Sequence, residues 1–117
     1  MVEVLVYDGK VFVSMSNTET GDVSAETRFT YRQKGDLVWA TYEGGAVRFG
    51  TLVAKADEEG RLEMRTQHLT TAGELKTGEC RSIPEVMADG RLRLHESWRW
   101  TSGDDSEGSS IVEELAG

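Results

Sequence analysis

The chain has 117 residues, with 21 acidic against 13 basic side chains and a net charge of −8 at pH 7. That length supports one hydrophobic core and no second domain, and the acidic balance excludes the basic face that nucleic acid and anionic membranes require. No apolar run approaches the ~20 residues of a spanning helix, the start "MVEVLVYDGK" lacks the features of a signal peptide, and Cys80, the single cysteine, builds neither a disulfide framework nor a zinc site.

The expectation is therefore a soluble, cytoplasmic protein forming one domain over residues 1–117, with no metal, cofactor, nucleic-acid or membrane partner implied. Taken in chain order, turn signals punctuate the sequence: "YDGK", "ETGD", "QKGD", "EGGA", "DEEGR", "TAGE", "ADGR" and "SGDDSEG". Between them lie runs rich in Val, Thr, Tyr, Phe and Trp. Pro84 is the single proline, and helical periodicity is nearly absent. Many short strands joined by tight turns predict an all-β antiparallel meander. Nine runs can be counted, and an even number closes antiparallel. The predicted fold is an up-and-down barrel of about eight strands with the first hairpin partly extra, and a β-sandwich is the alternative.

Turn type sets the register and hence the face that each side chain takes. Two-residue loops suit Asp8-Gly9 and Gly44-Gly45. Loops ending in Gly21, Gly35, Gly60, Gly73 and Gly90 suit three-residue turns with a bulge. These choices oppose Leu52 to Thr66, Ala54 to Met64, Arg65 to Glu79, Glu63 to Arg81, Glu79 to Arg99 and Glu85 to Arg93. Four opposite-charge pairs then fall on one face, although charge played no part in choosing the loops. On the other face Gly78 meets Trp100 and Cys80 meets Trp98, small against large as a filled interior demands.

The same registers place Val11, Val13 and Met15 inside, beside Phe29, Thr27 and Ala25, and set Trp39 against Phe29 and Gly50. They add Tyr31, Leu37, Trp39, Leu52, Ala54, Leu62, Met64, Cys80, Leu92, Leu94, Trp98, Trp100 and Ile111. Polar residues predicted inward are Thr41, Arg48, Thr66, His68, Lys76, Ser82 and Glu96, with Glu113 beside Glu96 across the 102–107 loop. Charges inside so small a barrel must pair, reach water at a mouth or contact a ligand. Glu96 is the clearest case, a carboxylate in the leucine–tryptophan stripe of "RLRLHESWRW". Three roles remain open for it: a structural contact to Ser82 or Arg48, exposure at the barrel end, or a ligand contact. His68 is either a satisfied polar residue near the rim or a binding group, and no second inward histidine suggests a metal. Val38, Ala40, Tyr42, Val47, Phe49 and Val53 fall outward in this register. Such an apolar patch calls for a cover, either the N-terminal strand or a homodimer interface.

No Walker loop, GxGxxG, GxSxG or HExxH occurs, so an enzyme is not the favoured expectation. Three stretches together, "MSNTETGDVS" (15–24), "ATYEGGAVRFGTLVAKADEEGRL" (40–62) and "GRLRLHESWRWTSGD" (90–104), resemble a small bacterial family of single-domain proteins. Some of its members carry the label N-acetylglutamate synthase. Acetyltransferases of that type resemble an α/β fold with a helix-start pyrophosphate site, and this chain has no strand–Gly-rich loop–helix unit to receive such roles. In architecture the meander is similar to the calycin group of lipocalins, fatty-acid-binding proteins and avidins. The expected function is binding of a small apolar or amphipathic metabolite inside the barrel by Trp39, Arg48, His68, Glu96, Trp98 and Trp100. The alternative is an interaction protein with a filled core, a homodimer through Tyr42, Val47 and Phe49.

Overall fold

The computed structural model describes residues 6–17, 22–103 and 105–115. Eight strands follow in chain order: β1 (Val11–Asn17), β2 (Arg28–Lys34), β3 (Leu37–Gly44), β4 (Val47–Ala56), β5 (Leu62–Thr70), β6 (Leu75–Val86), β7 (Leu92–Trp100) and β8 (Glu107–Glu114). Each pairs antiparallel with its neighbour, and β8 returns to β1, so the sheet closes into a barrel. Closure leaves no free edge, and the sandwich alternative falls away. No helix occurs among the described residues, and so none is long and apolar enough to cross a membrane. Residues 8–10 form a turn, and the expected extra strand before them falls largely on positions outside the described residues, as does the Gly21 turn.

Three turns carry the register of half the barrel. At Gly60, Gly73 and Gly90 the glycine takes a positive φ of 82°, 87° and 88°. Its N–H donates to the carbonyl three residues back, Asp57, Thr70 and Met87 respectively. This is the three-residue turn with a bulge that a Gly at the left-handed position selects. All the β4–β5, β5–β6 and β6–β7 partners expected from these loops form, including Arg65 opposite Glu79 and Cys80 opposite Trp98. On the outer face Arg81 Nε lies 3.1 Å from Glu63, Arg99 2.7 Å and Arg65 3.8 Å from Glu79, and Arg93 3.8 Å from Glu85.

β1, β3 and β8 present the opposite face from the one expected. Beside β3 the turn after Lys34 is a two-residue Gly35-Asp36 loop rather than a three-residue one, so Phe29 pairs with Tyr42 instead of Trp39. After β3 the chain turns at Gly45-Ala46 with an added bulge, so Tyr42, not Trp39, faces Gly50. Both changes are odd in residue number, and an odd slip exchanges inside for outside. Val38, Ala40, Tyr42 and Val47 are therefore core, while Leu37 and Trp39 point to solvent, Trp39 with 39% exposure. Thr41 and Arg48 are exposed as well, Arg48 at the irregularity between Val47 and Phe49. In β1 a one-residue slip buries Phe12 and Ser14 instead of Val11, Val13 and Met15. In β8 Glu96 meets Ser110, so Val112 replaces Ile111 inside. Glu113 lies on the outer face, where Arg93 Nε reaches it at 2.7 Å.

The two halves of the lumen differ. The lower half is occupied by core side chains: Phe12, Leu62, Leu94 and Val112 are buried in one cluster with Tyr31, whose ring centre lies 5.0 Å from that of Phe12. Tyr7, fully buried, plugs this end; its hydroxyl donates to the Gly60 carbonyl and its N–H to Gln33 Oε1. The plug ties the segment before β1 to the β4–β5 turn and the end of β2.

Candidate functional site

The upper half of the lumen is not filled. Phe29, Tyr42, Leu52, Met64, Trp98 and Trp100 wall a cavity of about 70 Å³, with His68, Asp22 and Asn17 toward its mouth and Glu96 and Ser110 deeper in. Gly78, Cys80 and Thr66 also line it, with Val23, Glu79 and Arg99 at its margin. Small residues on β6 make this space, because Gly78 and Cys80 stand opposite Trp100 and Trp98. The two indoles tilt against each other with centres 5.6 Å apart, and Trp98 Nε1 donates to Asn17 Oδ1 at 3.1 Å. An apolar wall with a few convergent polar groups is the usual form of a small-molecule pocket.

A chain of contacts holds the mouth. Asp22, from the β1–β2 connection, lies 2.9 Å from His68 Nε2 and 3.0 Å from Lys76 Nζ. Asp22 accepts a hydrogen bond from Nε2–H, which in the neutral ring leaves Nδ1 as an acceptor for the Tyr42 hydroxyl 3.1 Å away; the same hydroxyl also lies 3.3 Å from the Gln67 carbonyl. Lys76 Nζ sits 4.9 Å from the centre of the Trp100 ring, a cation–π contact. Phe29 stacks on Tyr42 at 4.9 Å. Burial pushes the Tyr42 hydroxyl well above its ordinary value, so it serves as a neutral donor. His68 and Lys76 come from facing positions of β5 and β6, and one loop residue joins them.

Glu96 lies deeper, midway along β7. Ser82 Oγ donates to its Oε2 at 2.6 Å and Ser110 Oγ to its Oε1 at 3.2 Å. Among the described residues it forms no ion pair, because Arg48, a suggested partner, is outside the barrel. Burial raises its carboxyl above the usual carboxylate range, and the two serine hydroxyls only partly offset this. Cys80 is no nucleophile here: burial first, and the Glu96 charge second, push its thiol up. Among the described residues no three His, Cys, Asp or Glu side chains gather to hold a metal.

Of the residues expected at a site, His68, Glu96, Trp98 and Trp100 line the cavity together. Trp39 and Arg48 do not; both face solvent for the register reasons given above. The expected interface residues Tyr42 and Val47 are also corrected, since both are buried within the barrel and only Phe49 stays on the outer face. Tyr42, Asp22 and Asn17 join the site without having been anticipated. Tyr42 was hidden by the inverted face of β3. Asp22 and Asn17 flank a connection whose path no periodicity encodes.

Residues 5–115 match a family model described as avidin-like protein. No curated protein and no solved structure matches the chain.

Proposed function

The chain belongs to the avidin-like family, and from that premise we propose that it binds a small amphipathic molecule in the upper half of its barrel. The apolar part of the ligand packs between Trp98, Trp100, Phe29 and Met64. Its polar part meets Glu96 below or the His68–Asp22 pair at the mouth. One observation carries this: the lower lumen is occupied by buried aromatic and aliphatic side chains, whereas the upper lumen leaves a lined cavity with a carboxylate on its wall. A protein built only as a scaffold has no need of either.

The cavity of about 70 Å³ is under half the ~150 Å³ that admits benzene in an engineered core. A compact head group enters, and the rest of the ligand occupies the mouth. Thermal unfolding against a panel of small metabolites tests the proposal. A ligand present at a hundred times its dissociation constant adds about 2.7 kcal/mol to stability. Trp98→Ala should weaken such a ligand about tenfold or more, since a buried indole is a typical binding anchor. If no compound stabilises the wild type, the proposal fails.

Self-association keeps one supporting observation. Leu37, Trp39 and Val53 gather on the outer face of β3 and β4, where Trp39 and Val53 are directly opposed. An apolar group of this kind suits contact between copies. The expected result is a dimer by sedimentation at micromolar concentration that Trp39→Glu dissociates. A wild-type monomer at that concentration ends this second function.

A further inference from the structure

We propose that the group received by Glu96 is a small organic cation, a primary or methylated amine, held between its carboxylate and the aromatic walls above it. This rests on the upper lumen being a ligand pocket, and it names the class of ligand.

Charge at the bottom of the pocket leads to this class. Of the three acids on the cavity lining, Asp22 and Glu79 have basic partners, whereas Glu96 forms no ion pair among the described residues: its two oxygens receive one serine hydroxyl each, from Ser82 and Ser110. Tyr31 from β2, Tyr42 from β3, Cys80 from β6 and Tyr7 from the plug all feel its charge, while Arg99, a basic residue on the pocket lining, is paired with Glu79 at 2.7 Å. Those four are neutral when protonated, and none of them supplies a positive charge. The basic groups at the mouth, Lys76 and His68, are both engaged by Asp22. An anionic ligand would have to displace Asp22 at the mouth and would meet an uncompensated carboxylate below. A cation meets a waiting counter-charge.

The walls fit the same class. Trp98, Trp100, Phe29 and Tyr42 surround the space with ring surface, and aromatic faces attract ammonium groups most strongly where water is excluded. The cavity volume suits a compact ammonium head better than a ring system. Burial raises the Glu96 carboxyl and a bound cation opposes that rise, so binding of a cation favours the ionised carboxylate. Affinity for the amine therefore rises with pH through the range above the ordinary carboxylate value. It levels off until the amine itself loses its charge.

The test uses the whole protein and three matched series: primary alkylamines and arylalkylamines of increasing length, with the alcohol and the carboxylic acid of each. Amines should bind the wild type at least about tenfold more tightly than their alcohols. Titration calorimetry over a pH series should show amine affinity rising as Glu96 ionises. Glu96→Gln should abolish both the preference and the pH dependence. Alcohols or carboxylates binding as tightly as amines, or a preference that survives Glu96→Gln, would overturn the cation while leaving the pocket standing. Binding by none of the three series would overturn both. The wild-type preference and its pH dependence are read without any variant, so the outcome does not hang on how Glu96→Gln folds.

Discussion

Gly50→Ala is expected to destabilise the barrel by about 3 kcal/mol, the upper end of the usual overpacking penalty, and to lower the midpoint of thermal unfolding on the order of 10 °C. Gly50 sits on β4 opposite Tyr42 on one side and His68 on the other. A Cβ there would fall into the Tyr42 ring and within 2.8 Å of His68 Cβ. The backbone at Gly50 is ordinary, outside the positive-φ glycines, so alanine should otherwise gain about 0.5–1 kcal/mol from reduced chain entropy. The clash outweighs that gain. Moving Tyr42 would also disturb its stack on Phe29 and its hydrogen bond to His68, so the cost extends into the site. Gly73→Ala is the control. Gly73 has a φ of 87° and open space around it, so alanine there meets backbone strain of about 1 kcal/mol and no collision. In a Tyr42→Leu background the cost of Gly50→Ala should fall by about half, measured as a double-mutant cycle by chemical denaturation. Equal losses at Gly50 and Gly73, or a cycle with no coupling, would show that the ring does not lie across the glycine.

What the sequence made legible follows the turns. From β4 to β7 each connection is the three-residue turn that a positive-φ glycine selects, and every expected partner in that block forms. The charge pairs Glu63–Arg81 and Glu79–Arg99 and the small–large pairs Cys80–Trp98 and Gly78–Trp100 supply independent checks on it. β3 had no such check. "LVWATY" carries apolar side chains on both faces, so alternation does not choose between Trp39 and Val38. The glycines on either side admit more than one turn: Gly35 serves a two-residue loop, and Gly44-Gly45 accommodates a bulge with φ values of 120° and 62°. Two odd errors on the two sides of β3 leave β2 and β4 correctly faced and invert only the strand between them.

The site divides along the same line. His68, Glu96, Trp98 and Trp100 stand on strands whose register the turns and charge pairs determine. Trp39 was lost and Tyr42 gained together, since one inversion exchanges them. Arg48 left the lumen because the bulge at the start of β4 keeps both Arg48 and Phe49 exposed. Asp22 could not be placed by periodicity at all. Its role depends on its reaching His68 and Lys76, long-range contacts that only the closed barrel creates.

Glu96→Gln is expected to make the protein more stable at neutral pH, by about 1–3 kcal/mol, the range for relieving an imperfectly solvated buried polar group. The sign follows from linkage. The folded chain raises the Glu96 carboxyl above its unfolded value of 4.5, so between those two values the folded state binds more protons than the unfolded state. Stability then falls as pH rises. The contribution of the protonated acid is fully present below about pH 4.5 and is lost as pH passes through the raised folded value. Glutamine mimics the protonated acid in shape and hydrogen bonding, and the Ser82 and Ser110 hydroxyls can turn to serve it. Wild type and variant should therefore converge in acid and separate toward neutrality, measured by denaturant unfolding at a series of pH values. Parallel curves would mean that no charge is being buried at Glu96. The destabilisation is also what a bound cation would reverse. An ammonium group against the carboxylate stabilises the charged form in the folded state, so the gap between wild type and Glu96→Gln should narrow when an amine occupies the pocket. A carboxylate whose only companions were meant to be Ser82 and Ser110 would show the gap and no such recovery.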